Sequence, residues 1–409
     1  MIPFEREHTF EQSLGGIVEA FNRREVAWQL DARPFERSLV LDTHATVQTV
    51  STRFRESSGH GKGAGLASIC GSLYEAFEHL VFEGERFIDM PDGSRLAGTH
   101  PRCGGDVLLD AVGTNAALTD RQFRSFDDPG VMVALPSEFF GGPSTGEFAA
   151  ELERTIRSYY SNNGWAAGAS REEAELHALN ELVERDALSA AFVSIGLNEP
   201  WGASAALDPA QELVKSQIEA AYDIEIEVAI LPAVAGHVAV AYCLQDRGPA
   251  LLGSGASLSE GHAVSRAINE FLQQVLAGAA IDQEEQRRTA RMQQVMSRYR
   301  NLAQCLRMSP HYKAAKPFAQ ADSDIPLTTD IRDSVAAQLG LVVEQLANEG
   351  FIVYSRVVAE ELTSSCRPSV VQVIVPGLER FHVISHGYAA EPIGRFRSRA
   401  SVMMARETC

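Results

Sequence analysis

Apolar residues recur every three to four positions through His8–Phe21, Leu66–Phe82, Gln211–Tyr222, Ser259–Ala277 and Ile331–Asn348. This period predicts five helices, each with one apolar face. Between them, short runs rich in β-branched residues predict strands at Leu39–Thr52, Ile224–Leu231, His237–Leu244, Phe351–Val358 and Val370–Pro376. Gly350 marks the stop between the last helix and the strand after it. The alternation of the two element types predicts a mixed α/β (α+β) fold. Gly84–Gly146, rich in Gly, Pro and Asp, reads as loops with edge strands such as Val131–Leu135. Asp282–Asn301 reads as an exposed charged helix, Lys316–Pro326 as an irregular connection, and the Arg-rich end from Gly394 has no assigned element.

The strongest local signal is GWAAGASREEAELHALNELVERDAL at 164–188, a small-residue loop running into a helix. At about 100° per residue, His177, Glu181 and Glu184 fall within about 80° of Glu173, while Leu179, Leu182 and Val183 point away. Ser170, with Glu173 three residues on, predicts a capping box that fixes the first turn. Ser257 and Glu260 predict a second one.

The same frame occurs three times. The helix after GHGKGAG carries LYEAFEHL, the helix at 171 carries LNELVERD, and the helix after GSGAS carries INEFLQQV. Aligned without gaps, the leading acid is Glu75, Glu181 or Glu270, and the residue three later is Glu78, Glu184 or Gln273. Leu73, Ala76 and Phe77, then Leu179, Leu182 and Val183, then Ile268, Phe271 and Leu272 fill the apolar positions. Each helix is expected to follow a glycine-rich turn. One such helix would be an ordinary amphipathic surface helix; three copies in register make coincidence harder to defend.

Charge and cysteine use narrow the classes. The 409 residues, 45% hydrophobic, suffice for one large core or two to three subdomains. A net charge of −18 argues against a nucleic-acid partner, which needs clustered Lys and Arg. The start MIPFEREHTF lacks the basic-then-apolar order of a signal peptide, and no apolar run approaches a membrane span. The expectation is a soluble cytoplasmic protein without a membrane partner. Cys70, Cys103, Cys243, Cys305, Cys366 and Cys409 form no CxxC pair and have no His at ligand spacing, which points to free thiols.

Several glutamates facing one cavity stay ionised only with countercharge. Magnesium takes hard oxygen ligands and is commonly held by one or two carboxylates plus nucleotide phosphates. Glycine-rich turns leading into helix N-termini would offer N–H groups to phosphate. The pattern therefore points to a magnesium nucleotide site. GHGKGAG lacks the GxxxxGK[ST] spacing of a Walker A loop, although Lys62 within it could reach a phosphate.

These residues resemble the YcaO family. AAGASREEAELHALNELVERDA at 166–187 is similar to the family's second motif, with its small-residue turn, EEA segment and ExxER. GKG at 61–63 followed by EAFEH resembles the first motif, ASLSEGHAVSRAINEFLQ resembles the third with its ExxQ, and VIVPGLE at 373–379 looks like the strand and turn near the end of YcaO domains. The resemblance covers nearly the whole chain. It implies a single domain over 1–409 of repeated helix/strand subdomains around a central nucleotide site, with a first-motif part at 1–150, the second and third motifs at 151–280, and a C-terminal α/β part at 281–409. It implies ATP and Mg2+ as cofactors. By motif position Glu75, Glu78, Glu181 and Glu184 would ligate magnesium, and Glu173, Arg185, Glu270 and Gln273 would contact or orient nucleotide. Lys62 joins this set, and Arg6 and Ser13 would match an N-terminal basic residue and serine of the family. The implied activity is phosphorylation of a peptide amide oxygen, leading most concretely to cyclodehydration of Cys, Ser or Thr to azolines in a ribosomally made precursor peptide.

Some positions depart from the family pattern. Gly71 stands where a serine is expected, with Ser68 and Ser72 nearby as substitutes; His79 replaces an arginine, Ala169 an asparagine and Val275 an arginine. The end SVMMARETC lacks the proline-rich tail of azoline-forming members. Two other readings therefore stay open: peptide thioamide formation with a TfuA-type sulfur-delivery partner, and a degenerate scaffold that binds nucleotide or peptide. The expected partners are the precursor peptide, a protein for leader-peptide docking or sulfur delivery, and a second copy in a homodimer.

Overall fold

The computed structural model describes residues 3–34, 41–49, 57–61, 63, 65–85, 120–128, 130, 132–136, 159, 161–243, 252–277, 287, 291, 294, 295, 298–306, 334–386 and 390–405. Lys62, Cys103, Cys409, the connection at 316–326, and most of 84–146 and 282–301 lie outside the described residues. In chain order the first elements are α1 (Phe10–Arg23), β1 (Val26–Pro34), β2 (Leu41–Thr49), β3 (Ser57–Gly61), α2 (Leu66–Glu85), β4 (Asp120–Ser125), β5 (Met132–Pro136), β6 (Trp165–Gly168) and α3 (Arg171–Gly196). Then come β7 (Ala203–Ser204), α4 (Pro209–Tyr222), β8 (Ile226–Leu231), β9 (His237–Cys243), β10 (Leu252–Ser257), α5 (Glu260–Ala277), α6 (Arg300–Leu306), α7 (Val335–Asn348), β11 (Tyr354–Glu360), β12 (Ser369–Ile374) and α8 (Ala400–Met403). The mixed α/β class follows the alternation in the sequence. Among the described strands every pair is antiparallel, in sheets ordered β1-β2-β3, β5-β4-β11-β12-β6 and β10-β9-β8-β7.

The chain folds into two compact units, residues 1–104, 108–182 and 332–376 in one, and 105–107, 183–331 and 377–409 in the other. In the first, Ile17 and Phe21 of α1 share a buried cluster with Leu73 and Phe77 of α2 and Trp165 of β6. Phe21 meets Phe77 edge-on at 5.9 Å between centroids, and Phe82 meets Trp165 at 5.1 Å, the arrangement that ring quadrupoles favour. In the second unit α5 packs on β10 and β9. Gln211 of α4 donates to the Gly261 carbonyl at 2.7 Å and to Ser265 Oγ at 3.0 Å, tying α4 to α5.

Helix ends follow local capping chemistry. Thr9 Oγ1 accepts from the Gln12 amide at 3.3 Å while Gln12 Oε1 accepts from the Thr9 amide at 3.0 Å, so α1 starts two residues after the apolar period does. Gly350, at φ +85, closes α7 as expected. At α5 the cap is shifted: Ser257 ends β10, and Ser259 Oγ takes the His262 amide at 3.4 Å. The expected Ser257–Glu260 box is replaced because Ser257 is held in the ladder opposite His237. β1 has no counterpart among the expected strands, although Val26, Trp28 and Leu30 alternate with Ala27, Gln29 and Asp31.

The expected glycine-rich turns are largely strands. SSGHG forms β3, WAAG forms β6 and LGSGAS forms β10, each the element before its repeat helix. The small residues serve close packing. A Cβ on Gly61 would lie 1.6 Å from the Ser68 carbonyl oxygen, and one on Gly253 would lie 2.1 Å from the Phe271 amide nitrogen. The chain turns beyond β3, with Gly63 and Gly65 at φ +95 and +58, and just before β6, with Gly164 at φ +83.

Replacing Gly61 or Gly253 by Ala is expected to destabilise the protein by about 3 kcal/mol, because helix backbone must move. Gly340→Ala, in α7 with open space around it, is expected to stabilise by about 1 kcal/mol. Urea unfolding midpoints check both, and a neutral Gly253→Ala would refute the close-packing account. Cys70, Cys243, Cys305 and Cys366 are free and buried. Burial pushes the Cys70 thiol up to about 11, with Arg6 pulling it down in part. In mildly alkaline iodoacetamide, mass spectrometry should find Cys70 and Cys305 unmodified until denaturant is added.

Candidate functional site

In the first unit the best-anchored expected residue is Glu173, 2% exposed in the first turn of α3. The Ser170 cap forms, with the Glu173 amide 3.1 Å from Ser170 Oγ. The return arm reaches further back than a capping box does: Glu173 Oε2 accepts the Ala169 amide at 3.0 Å, and Oε1 accepts the Glu7 amide at 2.6 Å. Arg6 Nη1 lies 3.5 Å from Oε2 with a third of its side chain exposed. Arg6 and Glu173 are thus brought together, and the segment before α1 is fastened to the start of α3. Asn180 adds a second tie, Nδ2 to Glu5 Oε1 at 3.5 Å. Ser13 is buried in α1, its carbonyl taken by the Tyr74 hydroxyl at 3.1 Å.

Glu75 and Glu78 are half-buried on one side of α2, and Glu75 Oε2 accepts the His60 amide at 3.1 Å. His79 Nδ1 is 2.6 Å from the Ser58 carbonyl. A carbonyl only accepts, so Nδ1 carries the hydrogen and the tautomer is set. Ser68 and Ser72, the substitutes considered for the serine absent at Gly71, are both fully buried, and Ser72 Oγ donates to the Ile69 carbonyl at 2.9 Å within its own helix. Glu175, which the sequence pattern does not single out, is 3% exposed and accepts from Arg171 Nη2 and Ser355 Oγ, both at 2.8 Å. A cleft of about 570 Å3 opens beside the start of α3, lined by Ser170, Arg171, Glu172, Val357, Glu360 and Arg367. Among the described residues none of the expected site residues lines it.

In the second unit Glu184 is 3% exposed. Its Oε1 accepts Ser254 Oγ at 2.7 Å and lies 3.1 Å from Arg185 Nη1, which is itself 3.4 Å from Ser254 Oγ. A guanidinium and a hydroxyl on one carboxylate oxygen make charge-assisted hydrogen bonds. Ser254 sits between Gly253 and Gly255 of β10, and its only sequence signal is that small-residue run. Glu270 and Gln273 are half-buried one turn apart on α5, while Glu181, half-buried on α3, belongs to the first unit.

Two further buried carboxylates carry no signal in the helical pattern. Asp186 Oδ1 accepts the Glu379 amide at 2.8 Å, and Arg395 Nε and Nη2 grip its two oxygens at 2.8–3.0 Å. Glu379 takes the amides of Arg380, Ile393 and Gly394 at 3.0 Å and of Phe396 at 3.2 Å. Burial pushes both carboxyls up from their ordinary range; Arg395 and the Glu379 amide oppose this at Asp186, and the four backbone amides oppose it at Glu379. Among the described residues no three His, Cys, Asp or Glu side chains gather as a metal cluster, and no helix is long and apolar enough to cross a membrane.

Known proteins share this architecture. The solved structure of YcaO from Methanopyrus kandleri bound with AMPPCP and Mg2+ matches with a TM-score of 0.65 at 18% identity, covering 97% of this chain and 96% of that one. A heterocyclase in complex with substrate and cofactor matches at 0.58 and 18% identity, over 93% of this chain and 54% of that one. The E. coli microcin synthetase McbBCD complex matches at 0.57 and 13% identity, over 86% and 88%. At these identities the likeness is one of fold. An uncharacterized protein of Methanothermobacter thermautotrophicus is 30% identical over 253 residues, 59% of this chain, and the chain spans 60% of the length of this curated relative. The family model described as YcaO cyclodehydratase, ATP- and Mg2+-binding, matches residues 60–379 and so takes in all three repeat helices. With that match over most of its length, the chain belongs to the YcaO family.

Proposed function

We propose that this chain is an ATP- and Mg2+-dependent enzyme that modifies backbone amides of a ribosomally made precursor peptide, forming azolines from Cys, Ser or Thr. The observation that carries the reading is the family match over residues 60–379. Support at the level of fold comes from a YcaO bound with AMPPCP and Mg2+ and from a heterocyclase bound with substrate and cofactor.

The side chains suit the cofactors. Magnesium needs only one or two carboxylates when nucleotide phosphates complete its octahedron. Glu75 and Glu78 on α2, and Glu181 and Glu184 on α3, are pairs three residues apart, which places each pair on one side of its helix. In this reading these pairs hold Mg2+. Arg185, held by Glu184 and Ser254, and Arg6, held by Glu173, are fixed cationic donors for the nucleotide. Ser13, Lys62, Glu173, Glu270 and Gln273 complete the nucleotide set. Bound ATP and Mg2+ supply phosphoryl activation of an amide oxygen, and the chain's own contribution is positioning and charge stabilisation. We assign the chain one functional domain over 1–409, with a separate protein delivering the precursor peptide.

Glu184→Gln keeps an acceptor for Ser254 but loses the charge. Its Mg2+-dependent ATP turnover is expected to fall at least about 100-fold with the melting temperature nearly unchanged; full activity would remove Glu184 from the metal set. Incubation of the chain with ATP, Mg2+ and a Cys-, Ser- and Thr-rich peptide, read by mass spectrometry, is expected to show loss of one water per modified residue. Replacement of oxygen by sulfur in the presence of a sulfur-delivery partner would favour thioamide formation. An unchanged peptide and no ATP hydrolysis would favour a binding scaffold.

A further inference from the structure

α3 is gripped from two sides where its charged residues run Glu184, Arg185, Asp186. Glu184 and Arg185 hold Ser254 of β10, whereas Asp186 holds Glu379 and Arg395. Residues 184 and 186 point about 200° apart around a helix, so the two anchors lie on opposite sides of it. Ser189, one turn beyond Asp186, adds a third anchor by accepting the His382 amide at 2.8 Å. A rotation of about 10° would carry a carboxylate on the helix surface by roughly 1 Å, and errors of that size cost about 100-fold where reacting groups must be aligned.

The far side of the grip is built for rigidity. Glu379 gathers the amides of Arg380, Ile393, Gly394 and Phe396 onto one carboxylate, so backbone N–H groups from two stretches of chain compensate its charge. A Cβ on Gly394 would come within 2.7 Å of Leu378 and Glu379 backbone, so the loop closes without a side chain there. Asp186 and Glu379 are buried, and their oxygens are taken by Arg395 and by backbone amides. Any effect they have on chemistry passes through α3.

We propose that Asp186, Arg395 and Glu379 form a positioning clamp that fixes the rotation of α3 and thereby aims Glu184 and Arg185 at the magnesium nucleotide. The inference rests on the nucleotide reading above. In the full chain, Arg395→Lys keeps the charge but cannot make the two-pronged grip. It is expected to stay folded, bind AMPPCP–Mg2+ about tenfold more weakly by calorimetry, and exchange amide hydrogens faster at 390–396. Asp186→Asn is expected to lower ATP turnover about 100-fold; if it does not fold, Arg395→Lys alone decides. Because the clamp acts through Glu184 and Arg185, adding Arg395→Lys to Glu184→Gln should weaken AMPPCP–Mg2+ binding by less than Arg395→Lys does in the otherwise unmodified chain. Wild-type affinity in Arg395→Lys, or additive losses in the double variant, would overturn the clamp. Failure of the unmodified chain to bind AMPPCP–Mg2+ would overturn the nucleotide reading itself, and the positioning role with it.

Discussion

Close contact between a helix backbone and the strand before it is the constraint on which the repeats at α2 and α5 depend. At Gly59, Gly61, Gly253 and Gly255 an added Cβ would meet helix backbone at 1.6–2.6 Å. Nothing larger than hydrogen fits, and the helix can therefore settle in only one place over its strand. The apolar positions finish the orientation: Leu73 and Phe77, Leu179 and Val183, and Ile268 and Phe271 are all buried. Their acidic partners on the opposite side, Glu75, Glu181 and Glu270, are half-buried. Packing thus decides where the acids point before any ligand is considered.

The second constraint is the cost of burying charge. Glu173, Glu175, Glu184, Asp186 and Glu379 are each at most 3% exposed, and each is compensated differently. Amides and Arg6 serve Glu173, Arg171 and Ser355 serve Glu175, Arg185 and Ser254 serve Glu184, Arg395 and the Glu379 amide serve Asp186, and backbone amides serve Glu379. For Asp186 and Glu379, burial raises the carboxyl above its unfolded value. Such a shift contributes stability below the unfolded pKa, and that contribution is lost as pH rises through the folded value. The hydrogen bonds to each group oppose that upward shift.

One helix, α3, does two jobs. Its first turn fastens the segment carrying Arg6, and its later turns carry Glu184 and Arg185 between β10 and the chain's last described segment. A family described as ATP- and Mg2+-binding gains from charges placed in advance, because ordered donors meet a bound phosphate without reorganising.

The repeat, the expected amphipathic helices, the Ser170 cap and the Gly350 stop were legible in the sequence, because periodicity and capping act over a few residues. The acids on the repeat helices were legible for the same reason. That GSG and GHG are strand rather than turn was not, because glycine marks a close approach as readily as a bend, and only the packed helix shows which. The grip on Asp186 was decided by tertiary structure alone: its partners lie 193 and 209 residues away, and no local pattern records which buried charge will meet which donor once the chain has closed.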